Sequence, residues 1–299
     1  MTNLISETEE VVFKTTSTQF SALTLNNSSN NIILCLHGWL DNAASFLPLF
    51  NEFNQLSNLG KTRLGEFKII AIDLPGHGKS SHKGADAHYH FIDWIYDVLA
   101  LCETHHWSDI HIVGHSMGGM IASAFAAAFP EKVKSLTLID SIGFIYADEK
   151  DATSQLRKGL LSRIKQETSG PKKTQLTLEK AIKARVLISD LEEPNARLIV
   201  TRNLRTTNDS CEWRSDRKLN TVSPYRLSLL QCKQLVTDIK TPVQIIYGNK
   251  GFYFVKKGLD VFSPLIESNQ VVELKGGHHV HMEKPEETAK LISNFISSI

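Results

Sequence analysis

Short apolar runs alternate with helical stretches along most of this 299-residue chain, and this alternation limits the folds open to it. The runs are apolar at consecutive positions, as in strands that are buried on both faces of a parallel sheet. They lie at residues 32–36, 67–72, 110–113, 135–139, 243–247 and 271–274. Helical patterns lie at residues 91–105, 120–129 and 285–297. We therefore predict an α/β sheet covered by helices on both faces, with an antiparallel edge hairpin at residues 11–13 and 20–25.

The alternation lapses between residues 146 and 237, where the chain is polar and has helical patterns such as 178–188. We predict a helical lid at 146–237, inserted between two parts of one core at 1–145 and 238–299. Residues 148–218 contain 16 Lys and Arg against 11 Asp and Glu. Solvated helix faces explain this excess, and a lid that attracts anionic substrates is the alternative. Four apolar lid residues fit either an acyl pocket or ordinary helix packing: Leu160, Leu161, Leu187 and Ile188.

The composition argues against several classes of partner. The formal net charge is only +1, so no global charge favours nucleic acid or an anionic membrane. No apolar run approaches the ~20 residues of a membrane span.

The N-terminus is acidic and lacks the pattern of a signal peptide, and the four cysteines form no C-x-x-C pair. We predict a cytoplasmic protein with reduced thiols. Nothing in the sequence specifies an oligomeric state.

One serine stands between two glycines at the end of a predicted strand, in Gly114-His-Ser-Met-Gly118. This G-x-S-x-G pattern is followed by an alanine-rich helix, which is the context that an exposed nucleophilic serine requires. The small flanking residues let the backbone turn sharply, and the helix N-terminus adds a positive dipole end. We predict that Ser116 is a nucleophile. A tight turn whose serine caps the helix is the structural alternative.

A nucleophilic serine needs a base, and the loop between the last apolar run and the last helix offers three histidines. This loop should lie at the same edge of the sheet as the serine. His278 directly follows two glycines, and we predict that it is the general base. His279 and His281 have an alternative interpretation as surface or structural residues. A metal site at His278 and His281 lacks a nearby third ligand.

Hydrolysis through a serine also requires donors for the oxyanion. One should be the backbone N–H of Met117, directly after the nucleophile. The other should come from the loop after an early strand, where His37-Gly-Trp39 makes the Trp39 N–H the natural candidate.

These segments together resemble the α/β-hydrolase superfamily over nearly the whole chain. The ordered set is His37-Gly-Trp39, Asp73-Leu-Pro-Gly-His-Gly-Lys-Ser80, Gly114-His-Ser-Met-Gly-Gly119, and Gly277-His278 ahead of Glu283-Lys-Pro285. Within the superfamily, residues 37–46 and 278–282 look most like the serine hydrolase-like proteins. The resemblance implies an eight-stranded, mostly parallel sheet, a lid after strand six and the order Ser-Asp-His. It also implies the roles given above for Ser116, His278, Trp39 and Met117.

The acid departs from the superfamily's pattern. It usually stands in a Gly-x-x-Asp turn after strand seven, but here that position is Gly251, and the next acid, Asp260, lies 9 residues further on. Some members of the superfamily hold the acid after strand six, and Asp140 matches that place. We predict that Asp140 is the triad acid. The alternatives are an incomplete Ser-His pair or an acid elsewhere in the chain, with Asp140 capping the next turn or anchoring the lid.

The sequence therefore predicts a serine hydrolase of the esterase type that cleaves a small carboxylic ester. Thioesters, lactones and C–C bonds beside a ketone need the same apparatus. No metal or organic cofactor is implied. A small-molecule-binding homologue with an incomplete triad is the main alternative, and a cofactor-free oxidase or perhydrolase is a third.

Overall fold

The computed structural model describes residues 8–170, 176–206 and 211–299. Residues 1–7, part of the N-terminal segment used above to judge targeting, lie outside the described residues. The strands of the described residues are β1 (Glu9–Lys14), β2 (Gln19–Leu25), β3 (Asn31–Leu36), β4 (Phe67–Ile72), β5 (Ile110–His115), β6 (Val133–Ile139), β7 (Leu204–Thr206), β8 (Cys211–Trp213), β9 (Val243–Gly248) and β10 (Asn269–Leu274). The α-helices are α1 (Leu47–Asn58), α2 (Phe91–Thr104), α3 (Met117–Ala128), α4 (Ala152–Thr168), α5 (Leu178–Ile188), α6 (Glu193–Asn203), α7 (Leu229–Thr237), α8 (Tyr253–Phe262), α9 (Val280–Glu283) and α10 (Pro285–Ser297).

Eight strands form one sheet in the order β1-β2-β4-β3-β5-β6-β9-β10. The pairs β1–β2 and β2–β4 are antiparallel, and every pair from β4 to β10 is parallel. The predicted α/β sheet with its antiparallel edge hairpin is therefore confirmed. Because the central strands are parallel, the residues that directly follow β3, β5, β6, β9 and β10 meet at one edge of the sheet.

The strands are buried because each face of the sheet has its own hydrophobic cluster. Along β3, Leu34 and Leu36 pack in the cluster that contains side chains of α2 and α3. Ile33 and Cys35, at the alternate positions, pack in the cluster that contains side chains of α1 and α10. This two-residue alternation of the side chains explains why an unbroken apolar run predicted a strand covered on both sides.

The segment between β6 and β9 contains α4, α5, α6 and the β7–β8 hairpin. Helices α5 and α6 pack around a separate apolar cluster that also includes Met282 of α9. Helix α7, at the end of the predicted range 146–237, packs on α3 and buries Cys232 and Val236 in the cluster on that face of the sheet. The predicted boundaries stay a prediction.

Four apolar side chains considered above for an acyl pocket, Leu160, Leu161, Leu187 and Ile188, are exposed. None of them therefore belongs to the buried apolar clusters of the described residues. Within residues 8–170, 176–206 and 211–299, none of the helices combines the length and the apolar character needed to cross a membrane.

A buried ion pair ties the inserted segment to the sheet. Arg202 of α6 donates from Nε to both carboxylate oxygens of Asp73 at 3.0 Å, and from Nη1 to Glu10 at 3.1 Å. Asp73 directly follows β4, is fully buried, and accepts the backbone N–H groups of Ala43 and Lys79 at 2.8 and 2.7 Å. The turn that begins at Asp73 thus has a structural role.

We predict that Arg202→Ala lowers the free energy of unfolding by about 3–5 kcal/mol, because it leaves the Asp73 carboxylate buried without its cation. Arg197→Ala is the matched control on the same helix, since Arg197 pairs at the exposed surface with Glu179 and Glu193. It should change stability little. Urea denaturation of both variants measures the difference, and equal losses would show that the buried pair does not anchor the segment.

Candidate active site

Ser116 lies between β5 and α3 in a strained backbone conformation, with φ 51° and ψ −116°. Few residues other than glycine adopt such angles unless the surrounding structure holds them there. The neighbouring strand holds this turn, since the N–H of Ser116 donates to the Ile139 carbonyl at 3.0 Å and the Ser141 hydroxyl donates to the Ser116 carbonyl at 2.8 Å. The predicted strand–serine–helix turn is present.

The glycines on either side of this turn are required by close backbone contacts. A Cβ atom on Gly114 would lie 2.6 Å from the Cα of Gly119, and one on Gly118 would lie 2.0 Å from the Leu36 carbonyl oxygen. The second contact shows that the start of α3 presses against the end of β3. Larger residues at either position would force the turn apart.

Asp140 and His278 form a buried hydrogen bond at the same edge of the sheet. The Nδ1–H of His278 donates to Oδ2 of Asp140 at 2.5 Å. The carboxylate also accepts the backbone N–H groups of Gly248 and Phe252 at 3.2 and 3.3 Å. With a proton on Nδ1 held by Asp140, Nε2 is the ring nitrogen of His278 that can accept a proton. Asp140, His278 and the Ser116 turn are thus brought together.

Gly251, where the superfamily's usual acid would stand, faces the Asp140 carboxylate. A Cβ atom on Gly251 would lie 2.3 Å from Oδ1 of Asp140. A carboxylate from either strand would therefore occupy the same space, and only one of the two fits. Asp260, the next acid along the chain, is exposed on α8.

Two aromatic rings flank the imidazole of His278. The ring of Phe252 stacks on it with centroids 3.8 Å apart, and the ring of His115 lies at 4.7 Å. The Nε2–H of His115 donates to the His278 carbonyl at 3.0 Å. Because His115 directly precedes Ser116, this contact positions the histidine loop beside the serine turn.

The turn after β3 is also held rigidly. The Nδ1–H of His37 donates to the Gly38 carbonyl at 2.7 Å, and its Nε2 accepts the N–H of Leu74 at 2.9 Å. Burial lowers the pKa of His37 to about 4, so the ring stays neutral in this role. Because α3 presses against the end of β3, the segments that carry the predicted donors Trp39 and Met117 lie side by side.

His279 lies in a buried ion-pair network beside the candidate triad. Its backbone N–H and Nδ1–H donate to Asp190 at 3.0 and 2.6 Å, and its Nε2–H donates to Asp41 at 3.2 Å. Arg185 also binds Asp41. Burial opposes a charge on His279, but Asp41 and Asp190 outweigh it and raise the pKa of His279 to about 9. The imidazolium therefore donates from both ring nitrogens.

This network joins three segments that meet at the site. Arg185 and Asp190 belong to the inserted segment, Asp41 to the turn that carries Trp39, and His279 to the loop that carries His278. The sequence left His279 open as a surface or a structural residue, and its burial supports the structural alternative. No spacing pattern could reveal its partners, because they lie far apart in the chain.

Three side chains that could ligate a metal lie within 4.8 Å of one another among the described residues: Asp41, His115 and His279. A cation there would have to displace the proton of His279 and compete with the Arg185 guanidinium. The set therefore fits an ion-pair network better than a metal centre. His281, which the sequence considered as a partner of His278 in a metal site, is fully buried, and burial holds its pKa well below the usual range.

We predict that part of the protein's stability is lost at alkaline pH. The raised pKa of His279 contributes stability that is complete below its unfolded value of about 6.5 and disappears as the pH rises through about 9, roughly 3 kcal/mol in all. Urea denaturation across this range measures the loss, which should be absent in His279→Gln. His82→Gln, at a half-exposed histidine, should keep the wild-type profile. A flat wild-type profile would contradict a charged His279.

Known proteins share this arrangement of sheet and turns. Residues 31–285 match the family model described as alpha/beta hydrolase fold. The chain is 29% identical over 277 residues to a serine hydrolase-like protein of Danio rerio, covering 88% of this chain and 81% of that protein. It is 27% identical over 241 residues to a monoacylglycerol lipase of Mus musculus, covering 77% of this chain and 68% of that protein. The solved structure of a hypothetical protein from Pseudomonas aeruginosa PAO1 matches with a TM-score of 0.85 at 27% identity, covering 97% of this chain and 98% of that one. The chain therefore belongs to the family of proteins with the alpha/beta hydrolase fold.

Proposed function

We propose that this protein is a serine hydrolase that cleaves a small carboxylic ester by acyl transfer to water. The observation that carries the proposal is the buried hydrogen bond between Asp140 and His278 beside the strained Ser116 turn. Strain at a single serine, held by the neighbouring strand, is typical of an exposed nucleophile rather than of an ordinary helix cap.

In the proposed mechanism, Oγ of Ser116 attacks the ester carbonyl while Nε2 of His278 takes the hydroxyl proton. The N–H groups of Trp39 and Met117 donate to the oxyanion of the tetrahedral intermediate. His278 then returns the proton to the leaving alcohol, and an acyl-enzyme remains. Water activated by the same imidazole hydrolyses it and restores Ser116. Asp140 keeps the proton of His278 on Nδ1 and stabilises the imidazolium.

The position of Asp140 also bears on the main alternative, a binding protein with an incomplete triad. That alternative depended on the absence of an acid after β9. The side chain of Asp140 reaches the space in front of Gly251 from the neighbouring strand. A carboxylate therefore contacts the imidazole, and this contact supports a complete triad over the alternative.

The names of the relatives support the proposal: one is a monoacylglycerol lipase, and another is a serine hydrolase-like protein. Thioesters and lactones need the same attacking group and the same oxyanion donors, so they belong to the same proposal. The cysteines of the described residues are free thiols, and we propose that the reaction takes place in the cytoplasm.

We predict that wild-type protein hydrolyses p-nitrophenyl acetate and butyrate, that Ser116→Ala abolishes this activity, and that Asp140→Asn lowers kcat at least ~100-fold through loss of the correct histidine tautomer. Circular dichroism checks that the variants fold. A fluorophosphonate probe should label wild type but not Ser116→Ala. Activity and labelling that persist in Ser116→Ala would contradict the assignment of the nucleophile.

We predict that the acid can be moved between the strands. Asp140→Ala should be nearly inactive, and the double variant Asp140→Ala/Gly251→Asp should recover at least ~10-fold, because residue 251 faces the vacated space. Asp140→Ala/Asn249→Asp is the matched control, since the Asn249 side chain accepts from the Gly276 N–H and faces another way. Equal activity of the two double variants would contradict a specific acid position.

A further inference from the structure

An apolar cleft of about 500 Å³ opens between the segment after β6 and helix α8. Its apolar side chains come from both walls: Ile142, Phe144, Ile145, Tyr146, Phe254 and Phe262. Ile145, Tyr146 and Phe254 are exposed, as are their neighbours Phe252 and Tyr253. Such a concentration of large exposed apolar side chains around a cavity is typical of a ligand-binding surface.

Both walls of the cleft begin at residues that contact the candidate triad. One wall starts at Ser141, which donates to the Ser116 carbonyl, and continues directly into Ile142. The other starts at Phe252, whose ring stacks on His278, and continues to Phe254, whose ring lies 5.7 Å from that of Phe252. Both walls are thus continuous along the chain with residues that contact the Ser116 turn and the His278 ring.

Two charged residues also line the cleft. Lys257 and Asp260 are exposed, and the Lys257 ammonium lies over the ring of Tyr253, 4.9 Å from its centroid. Apart from these two residues and Gly258, the side chains that line the cleft are aliphatic or aromatic. An unbranched hydrocarbon chain is the part of an ester that suits such a lining.

We propose that this cleft binds the acyl chain of the substrate, which makes the preferred substrate an ester of a medium-length fatty acid. The proposal rests on the proposed function, because it places the acyl carbonyl at Ser116. The hydrocarbon chain of the substrate then lies between α8 and the segment after β6. It differs from the acyl pocket that the sequence suggested on the inserted helices, since Leu160 and Leu187 do not line this cleft.

The first experiment measures kcat/KM for p-nitrophenyl esters from acetate to decanoate. We expect about a fourfold rise for each methylene that enters the cleft, followed by a plateau once the chain exceeds it. Ile145→Trp adds bulk at one wall and should lower the ratio of octanoate to acetate kcat/KM at least fivefold. Leu59→Trp, at an exposed apolar position that directly follows α1 and does not line the cleft, should keep the wild-type ratio.

A second experiment separates the cleft from the chemistry. The Ser116→Ala protein is titrated with dansyl-aminoundecanoic acid, and decanoate is used as the competitor. We expect saturable binding that weakens at least fivefold in Ser116→Ala/Ile145→Trp and is unchanged in Ser116→Ala/Leu59→Trp.

The outcomes are distinguishable. If the fatty acid binds at the cleft but wild type hydrolyses no ester, the cleft stands as a fatty-acid site and the proposed function fails. If esters are hydrolysed through Ser116 but the octanoate-to-acetate ratio is the same in wild type and Ile145→Trp, the cleft proposal is overturned and the proposed function stands. Equal binding to both tryptophan variants also overturns the cleft.

Discussion

The buried hydrogen bond between Asp140 and His278 is the interaction on which the candidate site depends. It requires β6 and β9 to be adjacent, so that the residue after one strand meets the turn after the other. It also requires glycine at position 251, because a side chain there would collide with the carboxylate. The acid, the glycine and the histidine therefore form one unit, although each belongs to a different segment of the chain.

The parallel sheet explains why these segments meet at all. Since neighbouring parallel strands end at the same edge, the turns after β3, β5, β6, β9 and β10 are brought together there. The contact of Gly118 with the Leu36 carbonyl then adds the start of α3 to the turn after β3. The predicted nucleophile, base, acid and oxyanion donors all lie within this set of turns.

The inserted segment is bound to the core through buried charges rather than through apolar contacts alone. Arg202 binds Asp73 beside β4, while Arg185 and Asp190 reach Asp41 and His279. Breaking either network would leave a buried charge without its partner, so both resist displacement of α5 and α6. The exposed apolar side chains of α8 and of the segment after β6 take no part in these networks, and they line the cleft.

Local chemistry in the sequence determined the alternating strands and helices, the edge hairpin and the serine turn, because each depends on residues that are neighbours in the chain. The conformation of a strand, of a serine turn flanked by glycines and of a helix can each be predicted from residues that are adjacent in the sequence. Only the tertiary structure decided which carboxylate contacts His278, since Asp140 lies 138 residues away and reaches it through strand order. The same holds for the charge on His279, which arises from Asp41 and Asp190. Burial and long-range pairing set these properties, and neither is a property of a local pattern.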